Sequence, residues 1–90
     1  MIKTFKHKEL KLLFSNGSSR YVGKQYQAKA LRGLDLLEHA EFLDELIVPG
    51  FDFHRLQGNP VRYAIKVSAN YRITFGWSKG AIDIDLEDYH

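Results

Sequence analysis

Residues 61–77 read VRYAIKVSANYRITFGW, and both halves of this stretch alternate between apolar and polar side chains. The apolar positions are Val61, Tyr63, Ile65, Val67, Tyr71, Ile73, Phe75 and Trp77. Alternation with a period of two is typical of β-strands that bury one face. The stretch therefore predicts a hairpin in an antiparallel sheet, with one face in the core and the other face open.

The side-chain pattern also predicts the register of this hairpin. In an antiparallel hairpin the two residue numbers of every pair have the same sum. Apolar residues face apolar residues only if that sum is even, and the shortest turn that meets this condition pairs Ile65 with Ile73. Lys66 then lies opposite Arg72. A two-residue loop in the following hairpin predicts Asp85 as the other neighbour of Arg72.

Shorter patterns extend the fold in both directions. Residues 51–56 and 82–86 predict a strand on each side of the hairpin, and residues 2–5 predict a strand at the start of the chain. Helical spacing runs from His7 to the polar break at residues 15–19, and again over residues 24–40. The expected fold class is α+β, with an N-terminal strand and two helices packed on one face of an antiparallel sheet.

Length and composition predict one domain over residues 1–90. The chain has no cysteine, which excludes disulfides and thiolate metal sites and fits a reducing compartment. Its first residues are charged, unlike a signal peptide, and no stretch approaches the ~20 apolar residues of a membrane span. We expect a cytoplasmic protein with no membrane partner.

The net charge of +2 conceals a strong segregation along the chain. Residues 1–32 carry +7, residues 33–54 carry −6, residues 55–77 carry +4 and residues 78–90 carry −3. Two basic blocks in a small protein favour a polyanionic partner such as RNA. Ordinary solvated helix faces explain the charges alone equally well.

The second basic block suggests a phosphate site around Arg72, with Lys66, Arg62 and Arg55 as further cations. The alternative is an exposed ion pair between Arg72 and Asp85, which would contribute at most about 1 kcal/mol.

Groups able to transfer protons occur at His54 and at the terminal Asp88, Tyr89 and His90. They suit RNA cleavage, in which a 2′-hydroxyl attacks the adjacent phosphate and needs a base, an acid and cations. A solvated polar tail is the alternative for the last three residues. The four histidines lack the close spacing of metal ligands, so we expect neither a metal nor a cofactor.

Several short motifs together carry a family resemblance. They are Pro49-Gly50, then His54 with Leu56 and Gly58, the run Asn70-Tyr71-Arg72-Ile73-Thr74-Phe75, and the terminal Glu87-Asp88-Tyr89-His90. In this combination the whole chain resembles the HigB toxins of the RelE/ParE-like superfamily of toxin–antitoxin systems.

The resemblance implies a RelE-like fold and an endoribonuclease that cleaves mRNA on the ribosome. It also implies neutralisation by a HigA-type antitoxin with a helix-turn-helix, whose complex with the toxin binds operator DNA. By motif position, His54, Asp88, Tyr89 and His90 would form the active site, and Arg72 would contact the scissile phosphate.

Other basic residues would then meet ribosomal RNA, namely Lys3, Lys6, Lys8, Lys11, Lys24 and Lys29. Three positions depart from the family pattern: Gln57 replaces a common lysine, Tyr71 replaces a tryptophan, and Ser68-Ala69 replaces Asn-Gly. Only Gln57 bears on activity, because it removes a cation. A ParE-like gyrase inhibitor and a non-catalytic binding module are the alternative functions on the same fold.

Overall fold

The computed structural model describes residues 1–20 and 22–88 and contains a four-stranded antiparallel sheet in the order β1-β2-β3-β4. The strands are β1 His54–Leu56, β2 Arg62–Lys66, β3 Tyr71–Trp77 and β4 Ala81–Asp88. Two helices precede them, α1 Lys8–Asn16 and α2 Lys24–His39, followed by a 3-10 helix at Leu43–Leu46. The predicted α+β class is confirmed, whereas the 3-10 helix was not predicted.

The central hairpin of β2 and β3 has the predicted register. Ile65 pairs with Ile73, and Lys66 pairs with Arg72. Both isoleucines are fully buried, which fixes the register because a slip by one residue would move them to the other face.

The predicted partner of Arg72 on β4 was wrong. Arg72 pairs with Glu87, and Asp85 lies opposite Thr74 instead. An irregularity between Thr74 and Gly76 shifts the register along the hairpin. The alternation of apolar and polar residues predicts the face of each residue but not the position of such a bulge.

Backbone conformation explains this shift. Lys79, Gly80 and Asp83 all have positive φ, at 57°, 151° and 50°. The first two belong to a longer turn than the predicted two-residue loop, and Asp83 lies at a local distortion of β4. Beyond it, Leu86 faces Ile73, so apolar residues again face apolar residues.

The core lies between the helices and one face of the sheet. Leu10 and Leu13 of α1 and Leu34 of α2 are fully buried, together with Phe75 of β3. Gly33 allows α2 to lie close to the sheet, since a Cβ there would be 2.9 Å from Cδ1 of Ile65. In the described part of the chain, no helix has the length and hydropathy needed to cross a membrane.

His7 forms the N-cap of α1. Its Nδ1 accepts a hydrogen bond of 3.2 Å from the backbone N–H of Leu10. A cap of this kind satisfies one of the N–H groups that a helix start leaves without a partner.

The predicted first strand is reduced to two isolated parallel bridges along β4, Ile2 with Ala81 and Phe5 with Ile84. Between them, the N–H of Asp83 donates to the side-chain oxygen of Thr4 at 2.7 Å. In a regular β-ladder this N–H would bond to a backbone carbonyl of the neighbouring strand. Because the Thr4 side chain accepts it instead, the ladder is interrupted.

The strand predicted over residues 51–56 is shorter than expected, because β1 begins only at His54. Asp52 has φ of +46°, which is incompatible with a continuous strand. Phe51 nevertheless remains next to β2, where its carbonyl accepts a hydrogen bond of 2.6 Å from the N–H of Lys66.

Candidate functional site on the open sheet face

The sheet face away from the helices, here called the open face, carries the even-numbered residues of β2 and β3. They are Arg62, Ala64, Lys66, Arg72, Thr74 and Gly76. Directly paired residues project from the same face of an antiparallel sheet. His54 pairs with Ala64 and Glu87 pairs with Arg72, so both belong to the open face.

A depression of about 460 Å³ lies on the open face beside the turn between β1 and β2. It is lined by Leu56, Gln57, Gly58, Asn59, Pro60, Arg62, Arg72 and Glu87. Two of the four predicted phosphate ligands, Arg62 and Arg72, therefore line one cavity. Two guanidinium groups and one carboxylate leave its charged lining net positive, which suits an anionic ligand.

Hydrogen bonds link the side chain of Arg62, on β2, to residues of β3 and β4. Its Nη2 donates to Oγ1 of Thr74 at 3.2 Å and to the carbonyl oxygen of Asp83 at 2.8 Å. The Thr74 hydroxyl in turn donates to Oε2 of Glu87. Thr74 is fully buried beneath these two charged side chains.

His54 is half-buried at the edge of the open face. Its Nδ1 lies 2.8 Å from the carbonyl oxygen of Asp52. Because a carbonyl oxygen only accepts, this contact requires a proton on Nδ1, and in the neutral ring Nε2 then keeps its lone pair. His54 can therefore accept a proton through Nε2.

Among residues 1–20 and 22–88, no group of three or more histidine, cysteine, aspartate or glutamate side chains is placed to hold a metal ion.

The other two predicted phosphate ligands lie outside the depression. Lys66 is opposite Arg72, but it lines a second open depression of about 680 Å³ together with the loop before β1. Arg55 pairs with Tyr63, so it leaves its strand on the face opposite Arg62. Strand alternation therefore separates Arg55 from the open face, whereas Lys66 shares that face but lies outside the depression.

The terminal motif is only partly described, since Tyr89 and His90 lie outside the described residues. Asp88 pairs with Tyr71, which places it on the helix-covered face rather than beside Arg72. It is also on β4 while His54 is on β1, and three strand spacings separate them by about 14 Å. The described residues therefore do not bring Asp88 and His54 together.

Two residues of this site were missed from the sequence, Thr74 and Glu87. Their positions along the strands could have indicated both, because alternate residues of a strand share a face. Thr74 shares its face with Arg72, and Glu87 shares its face with Asp85. A two-residue loop between β3 and β4 would instead place Asp85 opposite Arg72. The Asp85 carboxylate lies 3.9 Å from Nζ of Lys6 at the outer edge of β4.

The six lysines expected to meet ribosomal RNA lie on residues 1–7, here called the N-terminal segment, and on the two helices, away from the depression. Lys3, Lys6, Lys8, Lys11 and Lys24 are exposed. Lys29 is half-buried, where Nζ donates to the carbonyl oxygen of Gly50 and lies 5.2 Å from the ring centre of Phe51. Lys29 is therefore held against the loop before β1 rather than extended into solvent.

Comparisons with known proteins identify the family to which the chain belongs. Residues 3–90 match the family described as RelE-like toxin of type II toxin-antitoxin system HigB. The chain is also 40% identical over 92 aligned positions to the protein named Endoribonuclease HigB from Proteus vulgaris, and the alignment covers 100% of both chains. The resemblance first drawn from the short motifs is confirmed, and the chain belongs to the HigB family of RelE-like toxins.

Proposed function

We propose that this protein is the toxin of a type II toxin–antitoxin system and acts as an endoribonuclease that cleaves mRNA on the ribosome. The observation that carries the proposal is the depression on the open face, where Arg62 and Arg72 line one cavity with His54 on the same face. The name of the Proteus vulgaris relative, an endoribonuclease, supports the same activity.

The proposed reaction is an internal transfer at one phosphodiester. The 2′-oxygen bonds to phosphorus while the bond from phosphorus to the 5′-oxygen breaks, which gives a 2′,3′-cyclic phosphate and a 5′-hydroxyl. One proton leaves the 2′-hydroxyl and one is delivered to the 5′-oxygen, so the step needs a base and an acid. Guanidinium groups stabilise the negative charge that grows on the phosphate oxygens.

Arg72 is the proposed ligand of the scissile phosphate, and Arg62 is the second cation of the depression. His54 is the proposed proton acceptor or donor through Nε2, because Nδ1 is engaged by the Asp52 carbonyl. The resemblance assigns the complementary proton transfer to the terminal group of Asp88, Tyr89 and His90. Since Asp88 is on the other face, its proposed role is to orient that terminal group rather than to touch the phosphate.

The proposed partners follow from the family. A HigA-type helix-turn-helix antitoxin would neutralise the toxin, and operator DNA would be bound only through their complex. The exposed lysines of the N-terminal segment and helices are the proposed contacts with ribosomal RNA. Action on ribosomes places the protein in the cytoplasm.

The proposal is tested by mapping new mRNA 5′ ends on programmed ribosomes. Wild type, a His54→Ala, His90→Ala double variant and a His39→Ala control are compared. His39 is a suitable control because it is exposed at the end of α2, where its ring contacts the backbone carbonyl and the carboxylate of Asp35. Wild type and the control are expected to generate new ends, and the double variant is expected to generate at least 100-fold fewer, because general acid–base catalysis contributes roughly 10²- to 10⁴-fold.

The same experiment separates the rival functions. Equal growth arrest by all three proteins without new 5′ ends would contradict the nuclease and favour a gyrase inhibitor or a non-catalytic binding module. Equal cleavage by wild type and the double variant would retain the nuclease but remove both histidines from its mechanism.

A further inference from the structure

We propose that Glu87, acting through the hydroxyl of Thr74, is a positioning residue that holds the guanidinium of Arg62 in place for phosphate binding. The inference rests on the proposed nuclease function and adds two residues, Thr74 and Glu87, to its site. Neither residue needs to touch the substrate in this role.

The direction of the hydrogen bonds supports this role. A hydroxyl has one proton to donate, whereas a carboxylate can only accept. The Thr74 proton therefore points to Oε2 of Glu87, and a lone pair of Oγ1 is left for Nη2 of Arg62. Without Glu87 the hydroxyl could rotate, and the acceptor facing Arg62 would no longer be fixed.

The burial of Thr74 restricts the hydrogen bonds that its hydroxyl can make. Thr74 has no exposed surface, so water cannot replace either of its partners without a change in packing. A buried hydroxyl that loses a partner retains the full cost of its desolvation. The three side chains are therefore expected to keep one arrangement in the folded protein.

The negative charge of Glu87 also reduces a repulsion between cations on the open face. Lys66 and Arg72 lie directly opposite one another, and like charges in that arrangement destabilise a sheet. Glu87 pairs with Arg72 from the other side and offsets the repulsion. With one carboxylate against Arg62 and Arg72, the depression still favours a phosphodiester.

The first test is a cycle of single and double variants assayed by single-turnover cleavage on programmed ribosomes. Thr74→Val keeps the side-chain shape but removes the hydroxyl, and we expect cleavage to fall roughly 10- to 100-fold, because small displacements of positioned groups cost that much. Thr74→Ser, which restores a hydroxyl, is expected to recover most of the rate. In an Arg62→Ala background, Thr74→Val is expected to cause no further loss, since its effect passes through Arg62.

Glu87 is tested in the same assay with two substitutions. Glu87→Ala is expected to reproduce the loss of Thr74→Val. Glu87→Gln keeps an oxygen that accepts from the Thr74 hydroxyl, so it is expected to recover most of the rate. If the glutamine variant is as defective as the alanine variant, Glu87 acts through its charge or by proton transfer, and the positioning role is wrong.

A measurement on the free protein is independent of activity. In protein labelled with ¹⁵N-arginine, the held guanidinium of Arg62 should give separate Nη signals, and Thr74→Val should make them exchange faster, with thermal melts to verify folding. Unchanged Nη exchange, or equal losses from Thr74→Val with and without Arg62, would overturn the inference. Wild type that cleaves nothing would instead overturn the nuclease proposal, whereas active wild type with equally active Thr74→Val would overturn the inference alone.

Discussion

Gln57 is a neutral side chain in the lining of a depression that also contains Arg62 and Arg72. Its position at the β1–β2 turn lets a longer cationic side chain reach the same cavity. The departure from the family pattern noted at this residue is therefore located at the proposed phosphate site. The missing cation should weaken phosphate binding without altering proton transfer.

We expect Gln57→Lys to lower the ribosome concentration that gives half-maximal cleavage by up to about fivefold, because an exposed charge interaction contributes about 0–1 kcal/mol. The maximal rate should change little. Asp44→Asn is the matched control, since it raises the net charge by the same amount on the exposed 3-10 helix. An equal decrease in both variants would assign the effect to net charge and contradict a local role for residue 57.

At the residue scale, the sequence predicted the site only in part. Arg62, Lys66 and Arg72 share one face, as parity along a strand predicts, but parity does not predict that Lys66 lies outside the depression. The same rule separates Arg55 from Arg62, which their shared positive charge does not reveal. Thr74 could not be recognised as a buried link between Arg62 and Glu87, because its partner depends on the register of β4.

At the scale of elements, the two hairpins differ in what their sequences specify. The register of β2 and β3 was predictable because apolar and polar residues alternate throughout both strands. The register of β3 and β4 was not, because it depends on the backbone at Lys79, Gly80 and Asp83. Side-chain alternation carries little information on a left-handed residue in a turn or a bulge.

Gly80 provides an element-scale test of the β3–β4 turn. Its φ is +151°, and an added Cβ would clash with the carbonyl oxygen of Met1. Gly80→Ala is therefore expected to lower the free energy of unfolding by about 2–4 kcal/mol, since a strained backbone conformation costs roughly 1–3 kcal/mol and the clash adds to it. Urea denaturation followed by circular dichroism measures the change.

The control for this substitution is Gly17→Ala at the C-terminal end of α1. Gly17 also has positive φ, +79°, but within the described residues no atom beyond its two chain neighbours lies within 4 Å of its added Cβ. We expect it to lose only about 1 kcal/mol, the cost of an alanine in the left-handed region. Equal losses at both positions would mean that the contact with Met1 is unimportant.

At the scale of the whole molecule, the cations proposed to meet RNA fall into two groups. One lines the depression on the open face, and the other comprises the exposed lysines of the N-terminal segment and the helices. The proposed function uses them differently, because the first holds a single phosphodiester whereas the second meets ribosomal RNA over a wide area. Their contributions should be separable by salt.

A Lys8→Ala, Lys11→Ala, Lys24→Ala variant should bind ribosomes more weakly and with a flatter salt dependence. If all three lysines contact phosphates, the slope of log K against log salt concentration should fall by about 2–3, since each contact contributes about 0.7–0.9. Binding is measured by sedimentation with ribosomes over a salt series. The corresponding triple arginine variant keeps the charges and should keep the slope, and an unchanged slope in the alanine variant would contradict this contact surface.

The bridges between the N-terminal segment and β4 also govern the order in which the fold can be completed. The N–H groups of Lys3 and Lys6 donate to the carbonyl oxygens of Ala81 and Ile84, nearly eighty residues later in the chain. During translation these acceptors are synthesised only after both helices and the first three strands, so residues 3–6 must wait for their partners. Glu87 arrives with the same strand. A polypeptide interrupted before Ala81 therefore lacks both the contacts that secure its first residues and the carboxylate of the open-face depression.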